Sequence, residues 1–444
     1  MKPELISSKK TLLKGDINFD PASSNDKFGR LFRYKNQVYR SVSPEFHSIA
    51  SKILERAPYW AAYGLVQTTE SGYKMENVPL VLSHRTIEFC SYCTEWLPEM
   101  LKDAAVTYLQ LQHQLVTDGY ILKDGHPWNL LFDQGQPVYV DIGSILPFDE
   151  TQLTRSLQEF RIYFLLPLML FSKWGSTKTY AFLNRPIPNP DERERVAQEI
   201  GLASIRIPRW FSSSYGLKRM ISKIERMKFP GMERTEWSNY EQKSPDLTNP
   251  DSFVEKQHPA YEILRRISSG TLLDIGCNKG WYSLLAESMG FSVVSIDIDL
   301  ESLTFLYKKV KSERKHILPL YVDISEPTRA SGLDGAYPAF MDRMKYDVVF
   351  AMAIIHHLAY KSKLSFETFA RRIAQLTRKV AVVEFIPRED MFVSKWNQER
   401  MEWYTREYFI ESFMRHFDHM EASTSTPYPR EVFVFEKKTT NAQD

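Results

Sequence analysis

A chain of 444 residues is too long for one ordinary domain, so two or three are expected. Hydrophobic residues at 43% and charged residues at 25% describe a soluble globular protein. A formal net charge of +2 argues against a dedicated nucleic-acid binder, and no nucleic-acid partner is expected. The opening MKPELISSKK lacks the apolar run of a secretory signal. The most apolar stretch, Ile162 to Phe171, is half of a membrane span and holds a proline, so it reads as a buried helix. Cys90 and Cys93 form a lone CxxC without a second pair or suitably spaced histidines, which reads as two core thiols in a reducing cytoplasm.

In chain order, residues 1–24 read as a flexible N-terminus and 25–227 as a first domain. Gly29 to Val42 alternates apolar and polar residues around KNQ, which predicts a β-hairpin. Helical spacing follows at Phe46, Ile49, Ile53 and Leu54, and a long amphipathic helix runs from Met100 until Gly119 ends it. PVYVDIGS predicts a strand ending at Asp141. Residues 228–254 are polar, proline-bearing and aperiodic, and read as a linker. From 255 to 437 the pattern changes, leaving 438–444 as a tail. TLLDIG, SVVSIDID, ILPLYVDI, YDVVFAMA and VAVVEFIP are short apolar strands alternating with helical stretches, which predicts a doubly wound parallel α/β sheet. REVFVFEKK adds an expected antiparallel edge strand. The basic stretches Leu217–Lys228 and Tyr307–Lys315 read as solvated helix faces.

LLDIGCNKG places Asp274, Gly276 and Gly280 between a strand and a helix, where small residues let the backbone turn tightly and approach a ligand. Asp297 closes the next strand, where a carboxylate can bridge ribose hydroxyls, and Asp323 closes the third. All three therefore fall on the carboxyl edge of the expected sheet, where ligands bind. These residues resemble the class I S-adenosylmethionine-dependent methyltransferases, with a Rossmann-like sheet and Asn278 in place of the usual middle glycine. The resemblance implies that Asp274, Gly276, Cys277, Asn278 and Gly280 surround the methionine end of S-adenosylmethionine. It further implies that Asp297 holds the ribose and that Asp323 with Ile324 flanks the adenine. FAMAIIHHL, after the fourth strand, favours this reading over a nicotinamide-binding domain. His356, His357 and Glu384 lie where an acceptor enters, and each is a candidate base or acceptor-orienting group.

In the first domain, ILKDGHPWNLLFD sets Asp124 before Asn129, with Asp141 on the strand beyond. Such spacing suits phosphoryl transfer: one carboxylate accepts the hydroxyl proton, while an amide and a second carboxylate hold magnesium against nucleotide phosphates. The stretch resembles the aminoglycoside phosphotransferase and choline kinase branch of the protein-kinase-like fold, matching at Asp124, His126, Pro127, Asn129 and Asp141. That implies an N-terminal α+β kinase-like domain with Asp124 as base and Asn129 and Asp141 as Mg ligands. Arg40 then stands where the ATP-binding lysine is expected. Leu122 replaces the leading histidine of the motif, and no glycine-rich phosphate loop accompanies Gly29. The whole arrangement also resembles a family of large bacterial methyltransferases.

The expected function is a cytoplasmic S-adenosylmethionine-dependent methyltransferase with a degenerate kinase-like domain for substrate or partner binding. A bifunctional kinase-methyltransferase acting twice on one substrate ranks second, and a noncatalytic adaptor third. The acceptor is open among a glycan, a lipid head group, a small metabolite and a protein.

Overall fold

The structure is a computed structural model describing residues 9–183, 213–229 and 249–438, except 14, 16, 333, 334, 397, 398 and 400, together with 195, 196, 198 and 247. The chain divides into two compact units. The first comprises residues 1–94, 98–230 and 331–337, and the second 95–97, 231–330 and 338–444. Most of the expected linker, the first eight residues and the tail beyond 438 lie outside the described residues.

The first unit is α+β. A five-stranded antiparallel sheet runs in the order Asn18–Phe19, Gly29–Tyr34, Gln37–Val42, Val81–His84, Thr68–Glu70. The expected hairpin turns at Lys35 and Asn36 with φ of 49° and 61°, a mirror-image turn whose twist suits the flanking strands. Phe32, Tyr39, Met75 and Val81 pack beneath it with Leu12 and Ile17. Helix His47–Trp60 follows the sheet. Helix Pro98–Thr117 buries Leu101, Ala105, Tyr108 and Leu109, and Gly119 at φ +82° carries the chain away from its end. The apolar run Ile162–Phe171 is a buried helix, as expected: a π turn at Arg161–Leu165 leads into Leu166–Trp174. No helix among the described residues is long and apolar enough to cross a membrane.

One strand is shorter than the sequence suggests. It stops at Tyr139, because the Asp141 carboxylate accepts from Gly143 N at 3.1 Å and caps the turn Ile142–Ser144. Asp141 therefore sits beyond the strand.

The second unit holds a seven-stranded sheet: β1 (Gly270–Ile275), β2 (Phe291–Asp297), β3 (Ile317–Tyr321), β4 (Tyr346–Ala351), β5 (Thr377–Phe385), β6 (His419–Thr424) and β7 (Glu431–Glu436). The spatial order is β3-β2-β1-β4-β5-β7-β6, with the first five strands parallel. Chain direction across the sheet reverses between β1 and β4, and the crevice outside their carboxyl ends is where such sheets bind ligands. β7 is antiparallel as expected, but it lies inside the sheet, and β6 forms the edge. HMEAST is almost wholly solvated and carries no apolar run, so it leaves no strand signature in the sequence.

Candidate active site

The loop after β1 alternates left-handed positions: φ is +72° at Gly276, +50° at Asn278 and +79° at Gly280. Asparagine tolerates that region better than other residues with a Cβ, which explains its place in a glycine pattern. A Cβ on Gly276 would lie 2.6 Å from Ile354 Cδ1, and one on Gly280 would lie 2.6 Å from Leu306 Cδ1. Both glycines are thus needed for conformation and for space. Gly280 then opens helix Trp281–Ser288, whose first N–H groups face the loop.

Asp274 is 1% exposed, and its Oδ2 accepts the Ser283 hydroxyl at 2.6 Å. Ser283 in turn accepts from Ser295 at 2.7 Å, so β1, the following helix and β2 are stitched together beneath the loop. Burial pushes the Asp274 carboxyl up to about 7, against the opposing Ser283 bond. Cys277 is also buried, and burial, reinforced by Asp297 and Asp274, raises its thiol well above the usual range. It stays protonated and unreactive.

Asp297 ends β2 under tight control. Oδ2 accepts Asn278 N at 2.7 Å, while Oδ1 accepts Ile298 N at 2.7 Å and Asp299 N at 2.9 Å. Burial raises its pKa against the pull of those N–H groups. Of a carboxylate's roughly four acceptor positions, three are filled, leaving one on Oδ2. Asp323 lies just beyond β3, where Oδ1 accepts Ser325 N at 2.7 Å and Ser325 Oγ at 2.6 Å. Ile324 beside it is buried. Arg372, absent from the sequence reading, donates to the Ile324 and Ser325 carbonyls at 2.6 and 2.8 Å and fixes this loop.

Beyond β4, Ala353 adopts φ +55°, a costly conformation for alanine, and turns the chain into the helix bearing His356 and His357. The two imidazoles lie 3.9 Å apart between centroids, and Trp396 covers them at 5.4 and 5.0 Å. His356 is 7% exposed, and its Nδ1 makes no hydrogen bond. Burial, then the positive charges of His357, Arg430 and Lys361, hold it well below the usual histidine pKa. Glu384 on β5 is 0% exposed; Oε1 accepts the Ser425 hydroxyl at 2.8 Å, and Oε2 has no partner. A buried ion pair, Arg430 Nε to Asp390 Oδ2 at 2.8 Å, completes this side. Sequence reasoning missed that pair because its members belong to separate loops that no motif links.

In the first unit, Asp124, Asp141 and Arg40 lie near one another. Burial raises the Asp124 carboxyl, with Lys123 and His126 opposing and Asp141 adding to the shift. Asp124 N donates to Ser144 Oγ at 3.2 Å. Gly125 lies against helix Glu150–Phe160, where a Cβ would meet Ser156 O at 1.8 Å, and its N–H donates to Glu159 at 2.9 Å. Leu122 is core rather than site: it is fully buried, and Gln112 clamps its backbone at 2.7 and 3.3 Å. The Asn129 amide donates to the Tyr139 hydroxyl at 3.2 Å. Arg40, 2% exposed, donates to Asp141 Oδ1 at 2.9 Å and also pairs with Asp26.

Comparison with known proteins defines the class of the second unit. The family described as "Methyltransferase domain" matches residues 273–383, which span β1 to β5 and the glycine loop. The chain carries a methyltransferase domain, and the enzyme is an S-adenosylmethionine-dependent methyltransferase. Among individual proteins, it is similar to Nodulation protein NoeA of Rhizobium meliloti (strain 1021), 25% identical over 411 residues, covering 84% of this chain and 86% of the relative. A structure of the bifunctional kinase-methyltransferase WbdD is 17% identical with TM-score 0.30, covering 40% of this chain and 37% of that one. This chain thus spans well under half the length of that protein. Magnesium protoporphyrin IX methyltransferase (ChlM) from Synechocystis PCC 6803 is 13% identical with TM-score 0.30, over 41% of this chain and 82% of that one.

Proposed function

We propose that the second unit holds S-adenosylmethionine along the carboxyl ends of β1, β2 and β3 and passes its methyl group to an acceptor entering beside His356. The rigid Asp297 carboxylate carries this reading, with its remaining acceptor position on Oδ2 for a ribose hydroxyl. Gly276, Cys277, Asn278 and Gly280 line the methionine end, while Asp274 braces them from below. Asp323 and Ile324 flank the adenine. When bound, the sulfonium supplies an electrophilic methyl group, so the protein's task is mainly alignment. His356, neutral and with a buried Nδ1 left without a hydrogen bond, receives the proton from an acceptor hydroxyl or amine. His357 and Trp396 wall the acceptor, and Glu384 orients it through Oε2.

The first unit, in this reading, is a degenerate kinase-like module that recognises the acceptor or a partner. A phosphorylating first unit would need ATP and Mg at Asp124, Asn129 and Asp141, and the preserved residue set is what favours that second reading. The acceptor belongs to one of four classes: a glycan, a lipid head group, a small metabolite or a protein side chain. A cytoplasmic location is favoured by the small number of cysteines, three in 444 residues. The test is mass spectrometry of cell extracts incubated with isotopically labelled donor. One new methylated species, lost with His356→Ala, supports the proposal; a labelling pattern identical to that of the enzyme-free control sinks it.

A further inference from the structure

Arg40 lies on strand Gln37–Val42, buried between two carboxylates. Its Nη2 donates to Asp141 Oδ1 at 2.9 Å; its Nη1 pairs with Asp26 and reaches the Gly29 carbonyl at 3.4 Å. Asp26 is itself fixed, with its Oδ1 accepting Phe28 N at 3.0 Å. Phe28 closes the other side, its ring centroid 5.9 Å from the Arg40 guanidinium carbon. A Cβ on Gly143 would stand 3.1 Å from Arg40 Nη1, so the turn after Asp141 is shaped around the guanidinium.

One oxygen of the carboxylate that magnesium would need is already engaged. Asp141 Oδ1 accepts from both Arg40 and Gly143 N. A divalent cation at Asp141 would face the fixed guanidinium charge on that same carboxylate. The triad of Asp26, Arg40 and Asp141 has a formal charge of −1, and Asp124 stands beside it with Lys123 opposing, so the carboxylates outnumber the cations a triphosphate would need.

We infer that Arg40 takes the place of a divalent cation at Asp141, with Asp26 as its counter-anion in place of a phosphate, so that the first unit works without metal or nucleotide. This deepens the reading of that unit as a recognition module. It makes the site suited to a neutral or cationic ligand rather than a nucleoside triphosphate. Arginine suits the role because its planar fork satisfies two carboxylates at once and does not deprotonate.

Paramagnetic Mn²⁺ titrated into the full chain, with and without ATP, tests the assignment by the loss of the free-ion resonance signal. The wild type is expected to take up no Mn²⁺ through this site at millimolar concentration. Arg40→Met, which removes the charge but keeps an apolar stem, is expected to bind Mn²⁺ at least tenfold more tightly, and Asp141→Asn in that background to abolish the gain. Wild-type uptake that Asp141→Asn removes overturns the inference. So does a folded Arg40→Met chain that gains none. If Arg40→Met does not fold, the wild-type and Asp141→Asn titrations decide alone. Methyl-donor binding by the second unit is read separately, so failure here leaves the methyl-transfer reading standing.

Discussion

The backbone N–H of Asn278 donates to Asp297 Oδ2 at 2.7 Å, so the loop after β1 and the carboxylate ending β2 form one rigid piece. The Asn278 side chain continues the arrangement, its Oδ1 accepting Lys279 N at 2.8 Å. At φ +50° the residue can be asparagine or glycine, but a β-branched side chain is heavily strained there.

Asn278→Gly is therefore expected to bind the demethylated donor, S-adenosylhomocysteine, within about twofold of the wild type, and Asn278→Val to lose about five- to thirtyfold, given a left-handed penalty of about 1–2 kcal/mol. Isothermal titration of the two variants makes the comparison. Equal affinities would show that the left-handed turn does not govern the site.

Asp274 predicts a particular pH dependence of stability. Its folded pKa, about 7, lies above the ordinary carboxyl value of 3.8, so between these values the folded state binds the extra proton. The stabilisation is complete below the lower value and is lost as pH rises through about 7. That difference is worth about 4 kcal/mol at most. Thermal melts of the wild type should fall from pH 5 to pH 7.5, and Asp274→Asn should flatten that slope. A slope unchanged by Asp274→Asn would assign it to other groups.

His356 is held neutral below the usual histidine range by burial and by the charges of His357, Arg430 and Lys361. Methyl transfer is therefore expected to stay level as pH drops through about 6.5, the ordinary histidine value, and to decline only at lower pH. His356→Gln should lower kcat by about 10²–10⁴ with little change in the KM for the donor, the span general-base catalysis covers. A variant retaining full kcat would reduce His356 to a wall of the pocket.

The parallel sheet is legible in the sequence because strands buried on both faces must be continuously apolar, and five of its seven strands are. Asp274, Asp297 and Asp323 are legible for a related reason: acidic residues stand out where such runs end. Asp141 is harder to place, since the carboxylate that defines its role also ends its strand early, by capping the next turn. β6 carries no apolar stripe because it is an almost fully solvated edge. Arg372, Asp390 and Arg430 act through partners distant in sequence, and a single chain read linearly gives no sign of those pairings. Arg40 is found as a position, but its two carboxylate partners emerge only in the folded arrangement.

Arg372 shows what such a hidden contact contributes. It holds two carbonyls of the loop carrying Asp323 and Ile324, and charged hydrogen bonds of this kind contribute about 1.5–3 kcal/mol. Arg372→Ala should lower the melting temperature and weaken donor binding several-fold, whereas Arg371→Ala, at the neighbouring exposed position, should do neither. Matching behaviour of the two variants, followed by differential scanning fluorimetry with and without S-adenosylhomocysteine, would deny Arg372 its role in ordering the loop.

In the proposed function the carboxyl edge of β1, β2 and β3 binds the methyl donor, with Asp297 as its anchor. Titration calorimetry with S-adenosylhomocysteine on the wild type and Asp297→Ala measures this directly. One site per chain is expected in the wild type, with an affinity at least tenfold weaker in Asp297→Ala. No binding by the wild type, or equal binding by both proteins, contradicts it.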